Sequence, residues 1–434
     1  DRKTMAFRCE ICGHRSAKWM GFCPQCGSNE PLAEVAGETK ARGKLRAAEI
    51  VGLKAASEQS SDRRITGWGE IDRVLGGGVV AGSVLLLGGE PGVGKSTLLL
   101  QLAGSLAGRG DSVMVASAEE SADQVAMRAG RLGIGHEAIG LVTDDDVDAI
   151  VTLAERERPA LLIIDSIQTV GVPEIGAAPG GVAQVRESAA RLVRLAKTTG
   201  VAVVLVGHVT KEGGLAGPKM LEHMVDVVLY LEGDPDRGFR VLRSTKNRFG
   251  ATHVSGMFDM RSEGLTEVED PSKLFLDGWE SDVPGTVIYP AVEGRRSILV
   301  EIQALVSPTK QAQPRRSIRG LDPTRVNQVL AVLDRHSSLS LHDKEVYVNV
   351  VGGWRIDEPG CDLPVALAVA SSYSDRPLGR LAAWGEIGLA GEVRSIPMET
   401  RRIEELDRMG LEHRVAPIGG KPLRLGQALA DAGL

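Results

Sequence analysis

A chain of 434 residues exceeds what one hydrophobic core organises, so roughly two or three domains are expected. Hydrophobic content of 43% is that of an ordinary globular protein, and no apolar run approaches the ~18 residues of a membrane span. A formal charge of −6 excludes a uniformly basic nucleic-acid coat while leaving room for local patches, and aromatics at 3% argue against rows of base-stacking platforms. No secretory pattern precedes the first cysteine and Asp1 opens the chain, so a processed or trimmed start and a cytoplasmic location are the expectation.

Four of the five cysteines fall in the first 26 residues, as Cys9 and Cys12 in "CEIC" and Cys23 and Cys26 in "CPQC". Each C-x-x-C turn brings two thiolates toward one ion, and two such knuckles complete a tetrahedral four-cysteine zinc site over residues 1–30. A disulfide or redox pair is the competing reading, disfavoured by a reducing cytoplasm and the doubled spacing. So small a piece buries little core, so metal binding is expected to supply most of its folding energy. Cys361 stands alone and reads as a buried structural thiol. Residues 31–60 lack a sustained period and read as a linker.

"GSVLLLGGEPGVGKSTLLLQLAGSLA" predicts a buried strand at Val84–Leu87, a glycine turn, then a helix with leucines every three or four residues. Gly89–Ser96 matches G-x-x-x-x-G-K-S, and in a strand-loop-helix context that pattern is specific for a phosphate-binding P-loop. Gly89, Gly92 and Gly94, with Glu90, Pro91 and Val93 between them, let backbone N–H groups wrap the phosphates of ATP. Lys95 is expected to reach the β- and γ-phosphates and Ser96, beside Thr97, to ligate Mg²⁺.

Further strands follow. "DSVMVASAEES" ends on Glu119 and Glu120, and the apolar run "PALLIIDSIQTV" ends on Asp165. Parallel sheets bind ligands at the carboxyl edge, so Asp165 reads as the acid that holds Mg²⁺ through water. Glu119 is the better candidate for polarising the attacking water and Glu120 a close competitor, while both also fit the bland role of helix N-terminal acids. "VAVVLVGHVT" is a fourth strand ending at His208, placed either to sense the γ-phosphate or to cap a loop. "FRVLRSTKNRFGAT" then puts two cations, Lys246 and Arg248, directly after an alternating run; by themselves they read as a solvated hairpin end.

A four-cysteine knuckle, a P-loop core, "KNRFG", "GHVTKEGGLAGPKMLEHMVD" and "GLDPTRVNQVLAVLDRH" together resemble the bacterial RadA (Sms) family of DNA repair proteins, over nearly the whole chain. The resemblance implies an α/β RecA-like ATPase core at 61–262, a linker at 263–284 and an α+β domain at 285–434. It further implies that Lys246 and Arg248 act in trans on a neighbour's nucleotide within a hexameric ring. The implied partners are single-stranded and branched DNA and a RecA-type recombinase, the implied work is branch migration in homologous recombination, and the implied ligands are ATP, Mg²⁺ and Zn²⁺. A non-motor recombination mediator that uses ATP as a conformational switch is the alternative.

In the carboxy-terminal third, "TVIYPAVEGRRSILVEIQALV" alternates as strands. "GEIGLAGEVRSI" reads as a hairpin around Gly391, followed by a helix with Ile403, Leu406 and Met409 on its apolar side. These stretches resemble the proteolytic domain of Lon, whose serine nucleophile is deprotonated by a lysine. Aligned on "PGCDLPVALAVASS", the serine position holds Asp362; aligned on "GEVRSIPMETRR", the lysine position holds Thr400, or Arg401 if the alignment slips. Neither pair can perform the chemistry, so the domain is expected to be proteolytically inactive. "SPTKQAQPRRSIRGLDPTR" reads as a basic loop in which Lys310, Arg315, Arg316, Arg319 and Arg325 favour phosphate contacts.

Overall fold

The computed structural model describes residues 6–9, 11, 14–16, 18–35, 63–135, 137–176, 178–208, 218–233, 238–311 and 313–434. The chain divides into two compact units, Asp1–Gln59 and Ser60–Leu434.

In the first unit a three-stranded antiparallel sheet joins β1 (Ala6–Arg8), β2 (Arg15–Ser16) and β3 (Ala33–Val35). Its core is minute, Cys9, Cys23 and Leu32 with Phe7 and Met20 packed alongside. The strand β3 lies inside the expected linker 31–60: its backbone pairs with β1, and Leu32 buries against the cysteines. The rest of that linker, and Cys12, fall outside the described residues.

The second unit opens with the short pair β4 (Arg63–Arg64) and β5 (Val79–Val80) and then builds a nine-stranded sheet. Its strands are β6 (Val84–Gly89), β7 (Val113–Ser117), β8 (Ile139–Val142), β9 (Leu161–Asp165), β10 (Ala202–His208), β11 (Val227–Glu232), β12 (Phe239–Asn247), β13 (Ser255–Arg261) and β14 (Gly264–Glu267). They run in the order β14-β13-β12-β11-β6-β10-β9-β7-β8, parallel from β11 to β8 and antiparallel beyond. Alternate residues feed opposite faces, as a two-residue period requires. Leu85, Leu87, Val113, Val115, Leu161 and Ile163 pack under the helix Lys95–Gly108, while Val84, Leu86, Met114, Leu162 and Ile164 pack under Val147–Glu157 and Val182–Thr199. Continuous apolar runs mark strands buried on both faces.

The carboxy-terminal part is α+β. A six-stranded sheet follows the order β17-β18-β16-β15-β19-β22, from β15 (Thr286–Glu293), β16 (Arg296–Pro308), β17 (Arg316–Arg319), β18 (Lys344–Val350), β19 (Ala382–Ala383) and β22 (Arg414–Val415). The helices Pro323–His336 and Asp362–Ser374 contribute to the core under it. A second small sheet holds β20 (Glu386–Ile387), β21 (Glu392–Arg394) and β23 (Leu423–Arg424), the first two flanking the turn at Gly391.

Two expectations change. Residues 263–284 are not a plain linker: Gly264–Glu267 closes the edge of the ATPase sheet, and Pro271–Phe275 forms a helix whose Phe275 belongs to the carboxy-terminal core. The basic loop is in part a strand, because Arg316–Arg319 pairs in parallel with Val346–Asn349. No described helix is long and apolar enough to cross a membrane.

Candidate functional site

The strand β6 is the central strand of the nine and ends in the glycine turn, so the candidate phosphate-binding loop leaves the sheet at the carboxyl edge of its parallel strands. Gly89 has φ +156°, and a Cβ there would lie 2.5 Å from the Leu231 carbonyl oxygen, so only glycine fits. Gly94 has φ +111° and starts the helix Lys95–Gly108, which points the positive end of its dipole into the loop. Lys95 is buried, and its ammonium donates to the carbonyls of Gly89 and Glu90, both at 3.0 Å. Burial lowers its pKa, while the negative charges of Asp165 and Glu119 act the other way. Glu90, Pro91 and Gly92 are exposed, Val93 is buried, and Ser96 and Thr97 are half-buried at the first helical turn.

The register brings the other acids to the same edge. His208 pairs with Gly89, and Asp165 is level with Ser117 at the end of β7. Glu119 and Glu120 follow in the next turn, ahead of a helix that Ser121 and Gln124 cap reciprocally. The two glutamates part company here. Glu120 is paired with Arg128 on that helix, whereas Glu119 is exposed and its charge bears on Lys95.

Lys246 and Arg248 lie elsewhere. The strand β12 is antiparallel to β11, with Lys246 opposite Val228 and Asn247 opposite Val227, and those residues pair with Leu86 and Leu85 of β6. Arg248 is level with Asp226, whose N–H donates to the Val84 carbonyl at the start of β6. The cations therefore lie toward the amino edge of the parallel strands, Lys246 about 10 Å and Arg248 about 17 Å along the strand direction from Gly89 at ~3.3 Å per residue. Lys246 donates to the carbonyls of Glu222 (2.6 Å) and Val225 (2.9 Å), and Arg248 to the Asp226 carboxylate at 3.1 Å. Arg248 remains 55% exposed. Asn247 and Phe249 shape this end: the Asn247 amide donates to the Leu75 carbonyl at 3.1 Å and its oxygen accepts the Phe249 N–H at 2.8 Å.

In the amino-terminal unit the sulfur atoms of Cys9, Cys23 and Cys26 all lie within 4.8 Å of one another, with Cys9 and Cys26 at 3.8 Å. Two thiolates bound tetrahedrally at ~2.3 Å from zinc are about 3.8 Å apart, so these donors fit a zinc ion and not a disulfide.

At the position expected of a peptidase nucleophile, Asp362 is buried and plugged. Its carboxylate accepts a two-pronged bond from Arg325 (Nε and Nη2, both 2.7 Å) and the Ile387 N–H at 2.9 Å. Burial pushes its pKa up against the pull of Arg325. Arg325 is thus an internal ion-pair partner and not part of the exposed basic set. Thr400 is exposed, and the cation near it that is buried is neither Thr400 nor Arg401 but Arg402, which donates to Glu358 at 2.5 Å, to Tyr289 at 3.2 Å and to the Pro290 carbonyl. Lys310, Arg315, Arg316 and Arg319 are exposed. Arg315, Ser317 and Arg319 line a cleft of about 550 Å³ with Tyr347 and Asn349. A cleft of about 580 Å³ lies between the Glu232–Arg243 region and Gly320–Asp357.

Sequence reasoning missed Asp226, Arg240 and Arg402. Arg240 is buried at the start of β12, and its Nε donates to the Val93 carbonyl of the P-loop at 2.9 Å. An acid directly before the apolar run "VVLYL" was the available signal for Asp226; nothing marked either arginine.

A strand order of this kind around a central P-loop strand defines a RecA-like ATPase. Residues 56–214 match the AAA domain family and residues 7–34 the rubredoxin metal binding domain. The DNA repair protein RadA of Pseudomonas aeruginosa is 47% identical over 96% of this chain and 93% of its own length. Its counterpart of the same name in Escherichia coli is 44% identical over 99% and 96%, and that of Bacillus subtilis 44% over 95% and 92%. The crystal structure of the RadB recombinase is similar to 47% of this chain and 99% of that one, with a TM-score of 0.38 and 23% identity. The chain belongs to the RadA family of DNA repair proteins, and within it is an ATPase with a cysteine zinc ribbon.

Proposed function

We propose that the protein is a DNA-dependent ATPase of homologous recombination whose active sites form between subunits of a ring. The observation that carries this is the placement of the two charged sets on opposite edges of one sheet. Lys95 and Asp165 occupy the carboxyl edge, Lys246 and Arg248 the amino edge. A head-to-tail contact between copies would bring one edge against the other, and such heterologous contacts close into rings; the family resemblance implies six subunits.

In this reading ATP binds at Gly89–Thr97. Lys95 leaves the Gly89 and Glu90 carbonyls for the phosphates, and Ser96 and Asp165 hold Mg²⁺, which supplies charge neutralisation when bound. Glu119, whose charge bears on Lys95, orients the attacking water, with Glu120 the competitor. The neighbour's Lys246 and Arg248 stabilise charge on the transferring phosphate, a contribution worth roughly 10³ to 10⁵ in rate for an arginine finger. Hydrolysis then moves the protein on single-stranded DNA and drives branch migration beside a RecA-type recombinase, in the cytoplasm. The exposed cations of β17 offer phosphate contacts. Peptidase activity is excluded from the proposal, because a carboxylate clamped by Arg325 is no nucleophile.

The test is steady-state ATP hydrolysis with and without single-stranded DNA, in the wild type and in Arg248→Ala. DNA stimulation that is lost in the variant, with kcat down about 10³-fold, is the expected result. Hydrolysis indifferent to DNA, or unchanged by the substitution, would instead favour a recombination mediator that uses ATP as a conformational switch.

A further inference from the structure

Both cations of the KNRFG segment are held by one short stretch, Glu222–Asp226. Lys246 donates to the carbonyls of Glu222 and Val225, and Arg248 to the carboxylate of Asp226. That carboxylate is 5% exposed and has two further partners: the Val84 N–H at 3.0 Å and the Lys197 ammonium at 2.6 Å. Glu222 is tied in turn by the Tyr230 hydroxyl at 2.8 Å.

A buried carboxylate is expensive to desolvate, and the start of a strand does not require one. What the carboxylate adds here is orientation. Asp226 takes one arm of the Arg248 guanidinium, whose five N–H donors leave several for a phosphate. Lys246 likewise spends two of its three donors on the clamp. Each cation is thus held through its charged tip, Lys246 Nζ and Arg248 Nη1, by groups of its own subunit, while its remaining donors are left for a phosphate.

We infer that Asp226 is a positioning residue for the trans-acting cations: with the Glu222 and Val225 carbonyls it fixes the pose in which a subunit presents Lys246 and Arg248 to its neighbour's ATP. The inference rests on the trans-acting reading above. Asp226 does not touch the nucleotide of either subunit; it acts through Arg248 directly and through the segment that holds Lys246. Loss of its charge lets the guanidinium swing, and misplacement by about 1 Å costs up to ~100-fold in rate.

The experiment is subunit mixing with full-length protein. Asp226→Asn is expected to lower kcat roughly 10- to 100-fold with KM for ATP within about twofold of wild type, since its own P-loop is intact. Mixed with Lys95→Ala subunits, which carry intact cations but no working P-loop, it should regain hydrolysis well above the sum of the two variants measured alone. Arg248→Ala mixed with Lys95→Ala is run in parallel. If that pair complements and Asp226→Asn does not, the damage lies within its own subunit and the role of Asp226 is overturned while the shared site stands. If neither complements, the shared site itself fails. Should Asp226→Asn not fold, Asp226→Glu keeps the charge for Lys197 and Val84 but moves it by one methylene; it should show a reduced kcat rescued by the same mixing, and a wild-type rate from it would overturn the inference.

Discussion

Removing Arg325 should destabilise the protein, because it is the ion-pair partner of the buried Asp362. In Arg325→Ala the buried Asp362 carboxylate loses both guanidinium bonds and keeps only the Ile387 N–H. Removing one partner of a buried pair costs about 3–5 kcal/mol. Arg325 is 34% exposed, so water reaches the vacated space and the expected loss falls to about 2–3 kcal/mol. Urea unfolding followed by tryptophan fluorescence, to which the fully buried Trp384 of the same core contributes, measures it. The pH dependence has a definite sign. Without Arg325, burial raises the Asp362 carboxyl further above its unfolded value. A raised carboxyl stabilises the folded state below its unfolded pKa and loses that contribution as pH climbs through the folded value, so the deficit should be widest at high pH and shrink as the pH falls. The apolar pair Arg325→Met with Asp362→Leu should recover most of the loss. A single-variant loss under about 0.5 kcal/mol, or a deficit that grows toward acid, would refute the reasoning.

Cys23→Ser should abolish stoichiometric zinc, measured by elemental analysis, and open residues 1–35 to protease while leaving the ATPase sheet folded, since metal binding by such a piece is its folding energy. Asp226 should impose an acid limit. Burial raises its pKa, but Lys197, the Val84 N–H and Arg248 outweigh burial and hold the carboxyl below its ordinary range. Its contribution is therefore present above the unfolded value of about 3.9 and is lost as pH falls through the lower folded value, a loss absent from the acid unfolding curve of Asp226→Asn. Replacing Arg315 and Arg319 together by Gln should weaken DNA binding and reduce the slope of log K against log salt by roughly 1.4 to 1.8, measured by fluorescence anisotropy; an unchanged slope would remove β17 from the DNA surface.

The phosphate site was legible because its signal is local. One strand, three glycines, Lys95 and Ser96 sit within thirteen consecutive residues, and each is required by the geometry of the turn. Asp165 was legible as the acid ending an apolar run. Lys246 and Arg248 were not legible as more than a charged hairpin end without the family resemblance, because their position opposite the P-loop depends on the β11–β12 register. Arg240 and Arg402 were invisible for a different reason. An arginine in "RGFRVL" or "ETRRIEELDR" has the composition of a solvated face, and only the arrival of Val93 or Glu358 from elsewhere in the chain makes burial affordable. The strand β17 was missed because alternating cations hide its one apolar contact, Ile318.

The carboxy-terminal part backs the strands that lead to the KNRFG segment. It packs on the strands that carry the KNRFG segment and on no hinge: Met257 of β13 and Val268 just beyond β14 lie in its core, and Phe239 at the head of β12 packs edge-on against Phe275, which meets Trp354 in the same way. Arg243, midway along β12, pairs with Glu293 at 2.7 Å, and Ser255 donates to the Glu293 carbonyl at 3.1 Å. Gly294, at φ +62°, lies where a side chain would strike the His253 carbonyl, so the two parts meet too closely there to admit one. At that same head, next to Phe239, β12 is fixed by Arg240 to the P-loop carbonyl of Val93. With its head tied to the P-loop and its flank backed by the carboxy-terminal core, β12 is a single strand that runs from the Val93 contact to Lys246. The buried pairs Arg325–Asp362 and Arg402–Glu358 suit that backing role, because a part that supports a strand needs fixed geometry.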